Sequence, residues 1–392
     1  MTQRYFVLLG ILGLLPWLLW LDQWPRLVVE QLDHCPIVMC DFQRHYLPQA
    51  EILLDSPNQI VRGWFYPPLL AIGLLPFVWS GHALWLWGGL LLLGLGLLTW
   101  LSLTSKHRNP ITFGLALVFV ASSLPVLHGL KWGQISIFLV VLAIAGLSKG
   151  GRFGGALIGI AAAIKGYPFV YLLHPLLRQK ATPVLGAALA FVTLGLLLPL
   201  GLLGFDATQT LYANMSKSSQ FVMLGASESG GQALQSALKR WFIDGTHVGR
   251  IETAPRLHLL PQMAVSAIWL VMAAVLAFVT IKRTRSSGED PIPSICLVLC
   301  FIGLMLPPGW HHYFAFLPFA QLMLLQHRPS KQSVGLIILS IASERLPILG
   351  LGFYSESYAL ASSYGCTAVS TILIWMAWAI HLSPSRQKNT RL

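Results

Sequence analysis

The sequence predicts an all-α polytopic membrane protein with about 12 transmembrane helices. Three observations predict it. Of the 392 residues, 55% are hydrophobic and only 10% are charged, against about 25% charged in an ordinary soluble domain, so a water-facing surface cannot be covered. Uncharged runs near or above the roughly 20 residues that a spanning helix needs recur along the whole chain. None shows the every-second-residue alternation of a membrane β-strand. The same figures exclude a soluble body with one anchor, a disordered chain and a disulfide-framework protein.

The elements follow in order. Tyr5–Leu21 contains Pro16 and ends without a small-residue cleavage site, which reads as an uncleaved first span rather than a signal peptide. Gly63–Ser105 is longer than one span needs. Its first part, Tyr66–Trp79, is interrupted by Pro67, Pro68 and Pro76 and is predicted to lie along the interface. Further spans are drawn from Asn109–Leu130, Trp132–Ser148, Ala181–Phe205, Leu257–Ile281, Pro291–His327 and Ser357–Ser385. A short pair, Phe153–Ile164 and Pro168–Leu177, turns at Lys165-Gly166-Tyr167. Residues 1–392 are read as one transmembrane domain, with a first external loop at 22–81 and a long one at 204–260. The long loop carries an amphipathic helix at Ala233–Phe242, and the first loop one at Tyr46–Leu54.

Charge orients this layout. Basic clusters at Arg4, Lys106/Arg108, Lys149/Arg152, Arg178/Lys180, Lys282/Arg283/Arg285, Arg328/Lys331 and Arg386/Lys388/Arg391 are placed inside. That face then holds 15 basic and 2 acidic residues, the other 11 and 12, and both termini are cytoplasmic. The net charge of +12 is therefore a topology signal. A nucleic-acid partner is not expected, because no basic patch interleaves with exposed aromatics.

Charged groups at membrane depth are costly and mark function by default. Asp41, Lys131, Gln134, Lys165, His311, His312 and the pair Glu344/Arg345 all fall on the external side of this layout, which suggests one shared external cavity. Each also has a plain structural reading. Asp41 caps a helix over Phe42–Leu54; Lys165 snorkels to the interface; the histidines bond backbone or headgroups; Glu344 and Arg345 neutralise each other. No metal site is expected, since Asp41 has no neighbouring acid and adjacent histidines diverge on a helix. Cys35 and Cys40 stand five positions apart in the external loop, a spacing that leaves a disulfide open, while Cys296, Cys300 and Cys366 read as packing.

The ordered set Asp41-Phe42…Tyr46, Phe65-Tyr66-Pro67-Pro68-Leu69, Gly133-Gln134, Gly159–Lys165 and Trp310-His311-His312-Tyr313 resembles glycosyltransferase family 87. These are the bacterial polyprenol-phosphate-mannose-dependent transferases of the GT-C superfamily, and the resemblance runs from residue 1 to about 330. It implies a GT-C-like fold with interfacial helices and a catalytic aspartate in the first external loop, where this chain has Asp41. The implied reaction is an inverting transfer of a hexose, by family mannose, from a polyprenyl-phosphate donor. The acceptor would be a hydroxyl of a lipid-linked or cell-envelope glycan on the external face of the bacterial inner membrane, with no cofactor. Asp41 would act as base, while Lys165, His311, His312, Arg345, Gln134, Lys131 and Tyr66 would bind the donor phosphate and sugar. Two rival readings are a flippase of lipid-linked sugars, which should show internal repeats and access from both faces, and a non-catalytic assembly subunit.

Overall fold

The computed structural model describes residues 37–224, 231–242, 260–307, 309–350 and 357–383, with Val7, Gly10, Ile11, Gly13, Leu14 and Cys35. The expected first span, Tyr5–Leu21, lies largely outside the described residues. Every named element among them is helical. In chain order they are α1 (Leu47–Asp55), preceded by a π-helical turn at Phe42–Tyr46, α2 (Pro68–Ser80), α3 (Ala83–Leu101), α4 (Pro110–Ala121) and α5 (Leu124–Trp132). Next come α6 (Ser136–Lys149), α7 (Gly151–Ile164), a 3-10 turn at Tyr167–Leu172 that leads into α8 (Leu173–Leu177), α9 (Thr182–Phe191) and α10 (Leu198–Leu224). The remainder are α11 (Leu234–Phe242), α12 (Gln262–Arg285), α13 (Ile292–Met305), α14 (Leu317–Gln326), α15 (Lys331–Gly350), α16 (Ser357–Ser363) and α17 (Cys366–His381), with 3-10 turns at Ser105–His107 and His311–Phe314 and a π-helical turn at Val192–Leu197.

Among the described residues four helical stretches are long and apolar enough to cross a membrane: Ala83–Leu101, Thr182–Lys217, Gln262–Arg285 and Lys331–Gly350. The pairs α4/α5 and α16/α17 are bent by 72° and 58°, and make six if each is one broken span. The first part of the long loop is helical. Residues after Gly204 continue as helix α10 to Leu224, with the backbone bent at Gly204 (φ 80°). The uncharged run Ala181–Phe205 ends at Asp206, but the helix does not. Within it the Thr208 hydroxyl bonds the Gly204 carbonyl at 2.8 Å and the Asn214 amide bonds the Trp64 carbonyl at 2.5 Å. The interfacial-helix segments appear as α1 and α2, and the amphipathic helix of the long loop as α11.

The described residues form two compact units interleaved in sequence. The first comprises residues 37–94 and 130–224. Its α6, α7 and α9 touch backbone to backbone. A side chain at Gly155, Gly159 or Gly186 would run into the carbonyl oxygens of Pro183, Ala187 or Arg152. Small residues allow such close approach where no hydrophobic force drives helices together. Gly155→Val should therefore cost at least about 1–3 kcal/mol through overpacking, read as a lowered midpoint of thermal unfolding in detergent. Gly73→Val, where a side chain meets open space, should leave that midpoint unchanged.

The second unit comprises residues 1–36, 95–129 and 225–392. Helices α13 and α14 are buried along most of their length and form its centre. Hydroxyls and amides link helices there: Gln321 to Ser340 at 3.0 Å, Ser340 to Ser370 at 2.9 Å, and the Trp375 indole to Thr280 at 3.0 Å. Broken spans free backbone carbonyls that lipid cannot satisfy, and two arginines meet that need. At the α16/α17 bend, Arg240 Nε bonds the Ser363 carbonyl at 2.8 Å, and Gln232 Nε2 the Ser362 carbonyl at 2.9 Å. At the α4/α5 bend, Arg345 donates to the Phe119 carbonyl at 2.6 Å and to the Ser122 hydroxyl.

Candidate active site

Asp41 stands at the start of the π-helical turn. Its side chain makes no capping bond to that turn, which corrects the helix-cap reading. The carboxylate instead accepts a hydrogen bond from Gln134 Nε2. Asp41 stays partly exposed while Phe42 and Tyr46 beside it are fully buried.

The sequence builds this contact from two strained turns. Met39 has φ 55°, and its N–H donates to the Lys131 carbonyl at 2.7 Å. Gly133 has φ 66°, and a Cβ there would come within 2.8 Å of the Met39 Cβ and 3.0 Å of the Phe42 Cβ. Only glycine meets both demands, and Gly133 therefore lets Gln134 reach Asp41. An aromatic floor fixes the pair from below. Phe42 stacks on Trp87 at 4.7 Å between ring centroids, and the Trp87 indole donates to the Gly133 carbonyl at 2.9 Å.

The amide of Gln134 is oriented by its own oxygen. Oε1 accepts from the Tyr46 hydroxyl at 2.9 Å and from Lys165 Nζ at 3.3 Å, which leaves Nε2 to donate to Asp41. Tyr46 and Tyr66 hydroxyls are 2.8 Å apart. A phenol has one proton, so Tyr46 accepts from Tyr66 when it donates to Gln134. A directional chain thus runs from Tyr66 through Tyr46 and Gln134 to Asp41. Lys165 enters where α7 ends: its backbone turns extended (φ −154°, ψ 106°), and the buried ammonium lies 5.0 Å from the Tyr66 ring centroid and 5.9 Å from that of Tyr167. Lys165 and Tyr66 are both within electrostatic reach of Asp41.

The first unit therefore gathers Asp41, Gln134, Lys165 and Tyr66. Lys131 is buried nearby in sequence with its ammonium 5.6 Å from the Trp132 ring. Tyr46 was quoted above as part of the motif without a site role. Its place in the chain depends on the π turn, whose i→i+5 bonding, Leu47 N–H to the Phe42 carbonyl, was not readable from the spacing. Tyr46→Phe should keep the packing and remove the proton that orients Gln134. The turnover number of the reaction proposed below should fall about tenfold, the size of roughly one hydrogen bond's free energy, with little change in KM.

The other candidates lie in the second unit. Both ring nitrogens of His311 are engaged, with Thr367 Oγ1 at 2.6 Å and Ser362 Oγ at 2.8 Å, a packing role at the α16/α17 bend. His312 faces His128 through their Nδ1 atoms at 3.3 Å, with the rings stacked 5.3 Å apart. His128 carries no sequence motif of its own. Arg345 spends two donors on the α4/α5 bend, and its Nε lies 3.7 Å from Glu344, so the neutralising pair is present and the guanidinium is held by the protein itself. Cys35 and Cys40 are disulfide-bonded, whereas Cys296, Cys300 and Cys366 are free.

Comparison with known proteins adds one finding. No curated protein and no solved structure matches the chain. The family model of glycosyltransferase family 87 matches residues 64–308, a stretch that includes Tyr66, Lys131, Gln134 and Lys165 but not Asp41, His311, His312 or Arg345. That match takes in more than half of the 392 residues, and the chain belongs to glycosyltransferase family 87.

Proposed function

We propose that this glycosyltransferase moves a hexose from a polyprenyl-phosphate donor to a hydroxyl of a lipid-linked or cell-envelope glycan, with inversion, on the external face of the bacterial inner membrane. Mannose is proposed from the resemblance to the family alone. The observation that carries the reading is the Asp41–Gln134–Lys165 cluster: a partly exposed acid held by an oriented amide beside a buried cation. In one displacement the acceptor oxygen bonds to the sugar's anomeric carbon as the carbon–oxygen bond to phosphate breaks. Asp41 takes the hydroxyl proton, and the departing phosphate keeps the electron pair. Lys165 stabilises that anion in a water-poor setting. No cofactor or metal is invoked.

The proposed layout has about 12 spans with both termini cytoplasmic. It is supported by the sequence's charge asymmetry and by the shorter apolar helices Ser136–Lys149, Gly151–Ile164, Tyr167–Leu177 and Ile292–Met305 beside the longer ones. A disulfide one residue before Asp41 favours an oxidising compartment for that loop. The test is transfer by the protein in vesicles, using a panel of labelled polyprenyl-phosphate sugars and nucleotide sugars, followed by linkage analysis of the product. Transfer from a polyprenyl-phosphate hexose with inverted configuration is expected. Activity confined to nucleotide sugars, or a retained configuration, contradicts the reading.

A further inference from the structure

Helix α12 ends in a feature that sugar transfer does not use. Most of its apolar length faces outward: Val271, Val275 and Phe278 are 64%, 55% and 65% exposed. Steps of four, three, four and three residues place Val271, Val275, Phe278, Lys282 and Arg285 on one stripe. The stripe is hydrocarbon for two turns and cationic at its end. There Phe278, Ile281, Lys282, Arg285 and Ser286 line an open concavity of about 440 Å³.

The two cations are available to a ligand. Among the described residues no carboxylate pairs with Lys282 or Arg285. Asp290, the acid nearest in the following loop whose side chain is engaged, pairs with His327 Nε2 at 3.0 Å and accepts the Ile292 N–H at 3.0 Å; that hydrogen bond to His327 holds its carboxyl below the usual carboxylate range. Glu289 is exposed on the loop. The Ser286 hydroxyl donates back to the Lys282 carbonyl at 2.9 Å. Lys282 Nζ lies 5.8 Å from the Phe278 ring centroid. The C-terminal end of a helix dipole repels anions, so recognition of an anion here falls to these side chains.

We propose that this concavity binds the headgroup phosphate of an anionic phospholipid, whose acyl chain lies along Phe278, Val275 and Val271. The occupant is a lipid rather than a free phosphate because the cationic end continues the outward apolar stripe of Val271, Val275 and Phe278. A basic side chain that meets the acidic headgroup directly contributes about a fivefold gain in affinity.

Native mass spectrometry of the full-length protein, titrated with phosphatidylglycerol and phosphatidylcholine, tests this. Lys282→Gln and Arg285→Gln should each weaken phosphatidylglycerol retention about fivefold and leave phosphatidylcholine unchanged. Arg283→Gln is the control, because it removes the same charge from the same turn without lining the concavity, and it should change retention less than twofold. Phe278→Ala should also weaken phosphatidylglycerol. Equal losses in all three charge variants would mean diffuse attraction and overturn the site. Displacement of the lipid by excess inorganic phosphate, or indifference to Phe278→Ala, would overturn the lipid assignment.

Discussion

Lys165→Gln is expected to lower the turnover number for sugar transfer by about 10²–10³-fold, the usual cost of losing one preorganised charge in a water-poor site. The side chain is buried and reaches Gln134 Oε1, with aromatic faces of Tyr66 and Tyr167 around it. A cation in that place gains most when an anion develops nearby, so the loss should appear in turnover more than in KM. Glutamine keeps a donor for Gln134 and removes only the charge, which separates the electrostatic role from the packing role. Steady-state transfer in vesicles reads the effect, with elution from a sizing column in detergent as the check on folding. A turnover number within threefold of the wild type in a folded variant would leave Lys165 as a structural lysine.

Much of this fold follows from composition. Long uncharged runs become helices, and proline and glycine mark their ends: α2 begins after Pro67, and α7 ends just before Lys165-Gly166. Asp41, Gln134 and Lys165 were legible because polar groups are rare in such a chain, and their convergence is what the structure adds. What was illegible has specific physical reasons. A π turn changes which residues share a face, so Tyr46 fell outside the expected site. A helix that keeps polar residues reads as loop until partners such as the Trp64 carbonyl for Asn214 are known. Arg345 looked like a ligand-binding cation, but the bend at α4/α5 exposes the Phe119 carbonyl to which it is tied. Hydropathy cannot report where a span breaks inside an apolar run.

Asp41→Asn is expected to have the largest effect of any single substitution, about 10²–10⁴-fold on transfer, because it removes a general base. The change is close to isosteric. Asn Oδ1 can still accept from Gln134 Nε2, and no helix cap is lost because Asp41 forms none. Stability and donor binding should therefore stay near wild type, unlike the outcome for an acid that anchors the fold. Gln134→Ala should give a smaller loss, since the base remains but is no longer oriented.

The most direct measurement is single-turnover transfer from a labelled polyprenyl-phosphate hexose in vesicles, with wild type and Asp41→Asn compared at saturating donor. The result predicted is rapid product formation by the wild type and almost none by a folded, donor-binding Asp41→Asn protein. Product formed by that variant at the wild-type rate would contradict Asp41 as the base.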